Sequence, residues 1–503
     1  MVALLGIDAG TTSVKVALFD VTGRALAIDR QEYRLQTPAP SCVELDPEAY
    51  WQACCRAARR VLAQAGTAPR EVAALAISSQ GETLIPVDRA GQPTRPAIVW
   101  LDNRATEEAA LIGSAFEPEA LYRTTGQPTV APTWPACKIL WLRRHEPQVF
   151  ARSARFLLLE DYLLHRLTGR FVTERCLQTS SLLLDIQGGH WWQPMFDQVG
   201  ITPERLGDLL VPGAPVGPLS AEGAEAIGLT PSTVAVSGGM DVAVGAVGAG
   251  NVAPGIVTET TGCVLAVWAT LSRPRFDPER RVPCHCHAAP GLYGLLPWGQ
   301  TAGMALRWLR DQFFTLECQV AQEAGIDPYD LMTRLAAQVP AGCDGLVVLP
   351  HLEGAACPEF NPAARAVLFG ATLRHTRGHF VRAIMEAVAY MLKGHVDIIE
   401  KLGISVSEIR SLGGGSRSSL WLQIKADVLQ KPVVAVPGEE TACLGAALMA
   451  AVGAGVFASL EEGVGQMVHR GEAIRPRPEH ERAYRQGYAA YRELYERLAP
   501  MFR

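Results

Sequence analysis

Several familiar signatures are missing from this sequence. It has no C-x-x-C pair, no G-x-x-x-x-G-K-[ST] loop, no polybasic run and no unbroken apolar stretch that could cross a bilayer. The twelve cysteines are scattered, and Cys54-Cys55 falls inside a helical pattern. That spacing argues against a zinc module or disulfide framework and leads us to expect reduced, buried thiols in a cytoplasmic setting. Charged residues make up only 19% of the chain and the net charge is −5. No basic field exists to hold a nucleic-acid backbone or an anionic membrane surface, so neither partner is expected. The apolar run from Thr233 to Val257 is broken by Asp241, Asn251 and glycines, which argues against a membrane span. The opening Met1 to Gly6 lacks a basic stretch, and its apolar run is too short for a secretory signal.

What is present suits a large globular protein. Apolar residues make up 48% of 503, enough for sizeable cores and too long for one ordinary domain. Apolar strand patterns at Ala3 to Ile7, Val14 to Phe19 and Val72 to Ile77 precede helical spacing at 137–144 and 157–167. Residues 47–65 carry helical spacing through Trp51, Cys55, Ala58 and Leu62. The order predicts an α/β fold. A similar order returns after residue 250: Gly255 to Thr258 and Cys263 to Trp268 as strands about a turn at Glu259 to Gly262, then helices at 301–315 and 377–401. Val406 to Leu412 leads into Gly413-Gly414-Gly415 and a helix from Ser418 to Leu429, and a last helix spans about Pro478 to Leu498. Two related halves, 1–250 and 251–503, are expected.

Three small-residue turns can carry chemistry. Asp8-Ala9-Gly10-Thr11-Thr12-Ser13 offers backbone N–H groups and hydroxyls to an anion, with Lys15 as a point charge and Asp8 as a magnesium ligand, directly or through water. Thr260-Thr261-Gly262-Cys263 is a second such turn, and Gly413-Gly414-Gly415-Ser416 a third, set between a strand and a helix. Each is also compatible with an ordinary turn. Asp241 follows Gly238-Gly239-Met240 and opens a small-residue helix, where a carboxylate can accept a hydroxyl proton or simply cap the helix.

Taken together, these segments resemble the FGGY carbohydrate kinases, the family of glycerol kinase and xylulokinase. The resemblance rests on Gly6 to Ser13, Trp134 to Trp141, Gly238 to Gly248, Thr261-Gly262-Cys263, Arg365 to Tyr390, Gly413 to Gln423 and Thr441 to Leu448, in the family's order. It implies two actin-like (ribonuclease H-like) α/β domains, with ATP and a sugar in the cleft between them. It further implies magnesium near Asp8 and a first phosphate loop at Thr11, Thr12, Ser13 and Lys15. Thr261 and Gly262 match the second loop, Gly303, Gly414, Gly415 and Ser418 match nucleotide contacts, and Asp241 matches the catalytic base. Gln80, Glu82 and Trp134 fall in the acceptor-binding segments, with Asp102 and Arg104 as further candidates.

The departures bear on the acceptor. Gly81, Thr133 and Val242 stand where glycerol kinases carry polar groups, which argues against glycerol. Gly81-Glu82 replaces the Met-His pair common in xylulokinases, and Thr260 replaces a glycine. The expected activity is ATP-dependent phosphorylation of a small sugar, a ketose such as a pentulose, with a polyol or modified sugar as the alternative acceptor. An inactive actin-like nucleotide sensor is the alternative of another class, and a homodimer is one expected assembly. Cys284-His285-Cys286-His287 reads as strand packing, since alternate residues in a strand face opposite sides and cannot converge on one ion. Trp191-Trp192 reads as a loop closing against the core.

Overall fold

The computed structural model describes residues 2–438 and 440–502. The chain forms two compact units. Unit 1 holds the chain through Ala253, together with Thr270–Gly294 and Glu440–Val468; unit 2 holds Pro254–Ala269, the stretch from Leu295 up to Glu439, and the chain from His469 onward. Two later segments, Thr270–Gly294 and Glu440–Val468, thus return to unit 1.

Unit 1 is built on a six-stranded sheet. Its order is Pro215–Pro218, Val234–Met240, Val72–Ser79, Ala3–Ala9, Ser13–Asp20, Ala25–Glu32. The strands at 3–9, 72–79 and 234–240 are mutually parallel, so their carboxyl ends share one edge. Alternation sorts the 3–9 strand. Leu5, Ile7 and Ala9 face a core that includes Tyr50, Trp51 and Val61 of the helix Pro47–Ala65 and Tyr162 and Leu163 of the helix Leu159–Thr168. Residues 4, 6 and 8 take the other face, where the helix Thr441–Gly453 packs. A Cβ on Gly6 would lie 1.9 Å from the Cys443 carbonyl oxygen, so only glycine permits that approach. The helix Asp241–Gly248 meets the same partner through paired glycines. A Cβ on Gly248 would meet the Thr441 oxygen at 1.9 Å, and one on Gly445 the Val244 oxygen at 1.9 Å. The 270–294 segment is tied into unit 1 by Tyr122 donating to the Val282 carbonyl at 2.5 Å and Cys284 N–H donating to Gly126 at 2.9 Å.

In unit 2 the paired strands run from Leu265–Leu271 through Ile256–Thr261, Glu408–Leu412 and Val433–Ala435 to Ala473–Ile474. The helices Arg377–Lys401 and Ser419–Leu429 pack on one another, and Trp421 Nε1 donates to the Met385 carbonyl at 3.0 Å.

Helices expected at 47–65 and 377–401 form with those bounds. The expectation fails at the hairpin of unit 2. Glu259 to Thr261 is strand rather than turn, pairing with Val267, Ala266 and Leu265 on one side. Glu259 and Thr260 also pair with Ser411 and Leu412 on the other, and ladder hydrogen bonds on two sides outweigh the weak local pattern of a Thr-rich stretch. The turn itself is shorter, with Gly262 N–H donating to the Val264 carbonyl at 3.0 Å.

Candidate active site

The parallel register of unit 1 assembles the first group of candidates. Asp8 and Gly239 both lie opposite Ser78, while Ala9 and Met240 lie opposite Ser79. Asp8, the Ser79-Gln80-Gly81-Glu82 turn and Asp241 thus emerge from adjacent strand ends, the edge where open α/β sheets hold ligands. Ser78 Oγ donates to Asp8 Oδ1 at 3.0 Å. Lys15, directly across the hairpin from Asp8, places Nζ 3.9 Å from Asp8 Oδ2 and 3.1 Å from Glu440 Oε2. Burial raises the Asp8 carboxyl above its usual range, against the pull of Lys15 and Ser78. Burial also works against the Lys15 ammonium, but Glu440 and Asp8 outweigh it and hold the group above its ordinary value.

The turn after Asp8 is held from outside. Gly10 N–H donates to the Ser13 carbonyl at 3.0 Å, Tyr33 OH donates to the Gly10 carbonyl, and Trp100 Nε1 donates to Thr11 Oγ1 at 2.8 Å. Ser13 Oγ accepts from Arg30 at 3.1 Å.

Asp241 is the first residue of its helix, and Met240 occupies the capping position. Among the described residues its Oδ1 accepts the neighbouring Val242 N–H alone, at 2.7 Å, which is not the reach of a capping side chain to the second or third helical N–H. Loss of water raises the Asp241 carboxyl to about 7, helped by the negative charges of Asp8 and Glu82 and opposed by the Val242 N–H and Lys15. A carboxyl poised there can take up or release a proton near neutrality.

Glu82 sits in the left-handed region at φ 49°. A non-glycine residue there needs support, and Lys138 provides it. That lysine, from the helix Pro135–His145, is fully buried and donates to the carbonyls of Glu82 at 2.8 Å and Val99 at 3.0 Å. Burial pushes the Glu82 carboxyl up and the Lys138 ammonium down, and the two charges restrain each other. The Ser180 hydroxyl hydrogen-bonds the Glu82 carboxyl, and a Cβ on residue 81 would come 3.0 Å from Ser180 Oγ, so Gly81 admits the serine. Gln80 is 3% exposed; its Nε2 donates to Tyr50 OH at 3.1 Å and its Oε1 has no partner among the described residues.

The remaining candidates of unit 1 sit differently. Asp102 is fully buried, accepts Val43 N–H at 2.6 Å and is gripped in a fork by Arg104 at 2.8 and 3.0 Å. Arg104 also reaches Glu44 at 2.7 Å and stacks 4.9 Å over the Trp141 ring. Their charges are spent on each other and on Glu44, so they fasten the 99–104 loop and have little left for a ligand. Trp134 precedes its helix and donates to the Thr129 carbonyl at 3.0 Å.

Unit 2 assembles the second group around a buried lysine that sequence reasoning missed. Lys425 Nζ lies 2.6 Å from Glu259 Oε1, 3.0 Å from Thr261 Oγ1 and 3.3 Å from Ser411 Oγ, with Lys425 and Glu259 fully buried. Thr261 Oγ1 donates to Glu259 Oε2 at 2.7 Å, and Ser411 donates to the same carboxylate. The Thr261 side chain is therefore turned inward, leaving Gly262 as the exposed tip. Glycines crowd this turn: a Cβ on Gly303 would lie 2.5 Å from the Gly262 oxygen, and one on Gly415 would lie 2.7 Å from Thr261 Cβ. Gly414 has open space where its side chain would be, and Gly413 takes φ 73°. Ser418 caps the helix that follows, accepting Trp421 N–H at 3.3 Å.

Cys284, His285 and Cys286 form a buried strand. Burial drives His285 and His287 down to about 3 and both thiols up to about 12, so thiols and rings alike are neutral. Trp192 packs on Phe116 with centroids 4.7 Å apart, and Trp191 on Phe196 at 5.7 Å. Ligand atoms of Glu107, Glu108 and His145 converge elsewhere, but Arg144 pairs with both acids there.

Known proteins resemble this chain along its length. Residues 3–248 match the N-terminal domain of the FGGY family of carbohydrate kinases and residues 255–454 its C-terminal domain. The chain is similar to xylulose kinase of Escherichia coli K12, 31% identical over 500 residues that cover 99% of both chains. It is also similar to gluconokinase of Bacillus subtilis 168, 30% identical over 460 residues covering 91% of this chain and 89% of that one. The crystal structure of xylulose kinase from Rhodospirillum rubrum superposes with a TM-score of 0.90 at 30% identity over 99% of each chain. The fold is that of the actin-like kinases, and the chain belongs to the FGGY family of carbohydrate kinases.

Proposed function

We propose that the protein transfers the γ-phosphoryl group of ATP to a hydroxyl of a small sugar, with Asp241 as the general base. The observation that carries this reading is the Asp241 carboxyl at a strand end beside Asp8 and Glu82, raised to about 7 and free of a capping role. Asp241 takes the proton of the attacking hydroxyl, whose oxygen bonds to the γ-phosphorus as the bridge to the β-phosphate breaks and ADP leaves.

The residues of unit 2 fit a nucleotide. Gly414 leaves open space, and the close packing of Gly303 and Gly415 keeps side chains out of the turn at Thr261-Gly262. Exposed backbone at such turns suits phosphate oxygens. In unit 1, Gly10, Thr11, Thr12 and Ser13 offer N–H and hydroxyl groups, and Lys15 a positive charge, to the same class of ligand. Asp8 presents the hard carboxylate oxygen that Mg²⁺ prefers, directly or through water. Bound there, the ion would offset charge on the phosphates. Gln80, Glu82 and Trp134 orient the acceptor, and most of the acceleration comes from positioning and charge stabilisation.

A ketose such as a pentulose is the acceptor we favour, with a polyol or modified sugar as the second reading; Gly81 admits Ser180 to the turn that would meet it. The relatives are named for xylulose and gluconate, and so do not choose one acceptor. A coupled ADP-release screen over ketopentoses, ketohexoses and C3–C6 polyols tests the reading. Turnover with one acceptor class supports it; no turnover across the panel, with ATP bound, refutes it.

A further inference from the structure

We propose that Glu160 is a positioning residue for the phosphoryl transfer: by accepting the Gly238 N–H it holds the strand bulge that sets the place of Asp241. This rests on the kinase reading above and deepens it.

The bulge lies just before the candidate base. The strand Val234–Met240 pairs Val236 with Ala76 and Gly239 with Ser78, so over that stretch it carries one residue more than its parallel neighbour Val72–Ser79. An extra residue turns the side chains beyond it to the other face and re-aims the strand end. Gly238 falls in the register gap. A Cβ there would lie 1.9 Å from the Ile77 carbonyl oxygen, so glycine alone lets the bulge press on its neighbour. The Gly238 N–H donates to Glu160 Oε1 at 2.7 Å. Glu160 is fully buried and belongs to the helix Leu159–Thr168, which packs on this strand. A side chain from outside the sheet thus satisfies a backbone donor that the bulge leaves unpaired by the ladder. Asp241 Oδ1 bonds the next residue's N–H alone among the described residues, so no other partner of that oxygen corrects a shift of the backbone.

Glu160 acts as an acceptor rather than as a charge. Its Oε2 has no partner among the described residues, and the charges that bear on it are those of two other acids, Glu174 and Asp161. Burial and these neighbours raise its carboxyl well above the ordinary value, which makes it a neutral acid near pH 7. A neutral carboxyl still offers a carbonyl oxygen to an N–H, and a glutamine amide offers the same oxygen in the same shape. Glu174 supports the next residue of the bulge. Buried like Glu160, it accepts the Cys176 N–H at 2.5 Å and the Leu177 N–H, capping the short helix Arg175–Gln178. That helix sets Cys176 against the strand, where a Cβ on Gly239 would lie 3.2 Å from Cys176 Sγ. Two buried acids therefore hold residues 238 and 239, one directly and one through Cys176.

The test is ADP release with the best acceptor from the screen, with kcat expressed per folded, ATP-binding molecule. Glu160→Met keeps the length of the side chain and removes the acceptor. Glu160→Asp keeps the acid and withdraws its oxygen, and it carries the test if the methionine variant does not fold. Either variant should lower kcat by on the order of 10–10²-fold while KM for ATP stays near its starting value, because a displaced general base slows the chemical step. Glu160→Gln, which keeps the acceptor, should recover most of that loss. A purely structural role would lower the melting temperature and the folded fraction and leave kcat per folded molecule where it was. A kcat within twofold of the parent in the folded methionine or aspartate variant overturns the inference, as does a glutamine variant impaired as badly as those two; both leave the kinase reading in place. No ADP release by the parent protein with any acceptor, with ATP bound, overturns both.

Discussion

Lys425 Nζ lies 2.6 Å from Glu259 Oε1 inside unit 2, and both side chains are fully buried. The pair carries Thr261 with it, since the threonine hydroxyl bridges the lysine and the carboxylate. Lys425→Met leaves the Glu259 charge buried without its partner, and removing one member of such a pair costs about 3–5 kcal/mol. Denaturant unfolding should show that loss, and Lys425→Met combined with Glu259→Gln should recover part of it. At temperatures where the single variant is folded, KM for ATP should rise while KM for the acceptor stays near its starting value.

Gly415 gives an independent handle on the same turn. The Cβ of Gly415→Ala would come 2.7 Å from Thr261 Cβ, so one of the two backbones must move. Steady-state kinetics should show KM for ATP raised on the order of tenfold, because displacing a positioned group by a fraction of an ångström is costly in a site that works by positioning. An unchanged KM would separate Gly415 from nucleotide binding.

The pH dependence of activity follows from Asp241. A general base must be ionised, so kcat/KM should fall as pH drops through the Asp241 value of about 7 and level off above it. Glu82→Gln removes a like charge and should move that acid limb to lower pH; a limb that does not move would remove Glu82 from the electrostatics of the base.

Stability has a pH dependence of the opposite sense. Asp161 in unit 1 is raised by burial from an ordinary carboxylate value to about 7, and burial also lifts Glu160 and Glu174 beside it. With the folded value above the unfolded one, the stabilisation is complete below about pH 4 and is lost as pH rises through the folded value. Unit 1 should therefore unfold more readily at pH 8.5 than at pH 5.5. Asp161→Asn should reduce that difference by on the order of 1–3 kcal/mol, read from urea midpoints at the two pH values.

Much of this was legible in the sequence, for reasons that also mark where legibility stops. Asp8, Gly10 to Ser13 and Asp241 stand at the ends of apolar strands, and local periodicity locates strand ends. The long amphipathic patterns at 47–65 and 377–401 likewise announced their helices. Lys138 and Lys425 did not stand out, because a lysine in a helix ordinarily points to water, and only tertiary packing buries it. The strand character of Glu259 to Thr261 was hidden for a related reason: its ladder partners lie at 265–267 and 411–412, and the distant pair is invisible to a local window. The return of 440–468 to unit 1 depends on backbone contacts such as Gly6 against Cys443, which no spacing rule encodes.

The most direct test of the account is ADP release by Asp241→Asn with the best acceptor from the screen. Asparagine keeps the size and the polar contact with the Val242 N–H but cannot take a proton. The account predicts a kcat lower by about 10²–10⁴-fold with ATP binding unchanged. Turnover within a few-fold of the parent protein would contradict it.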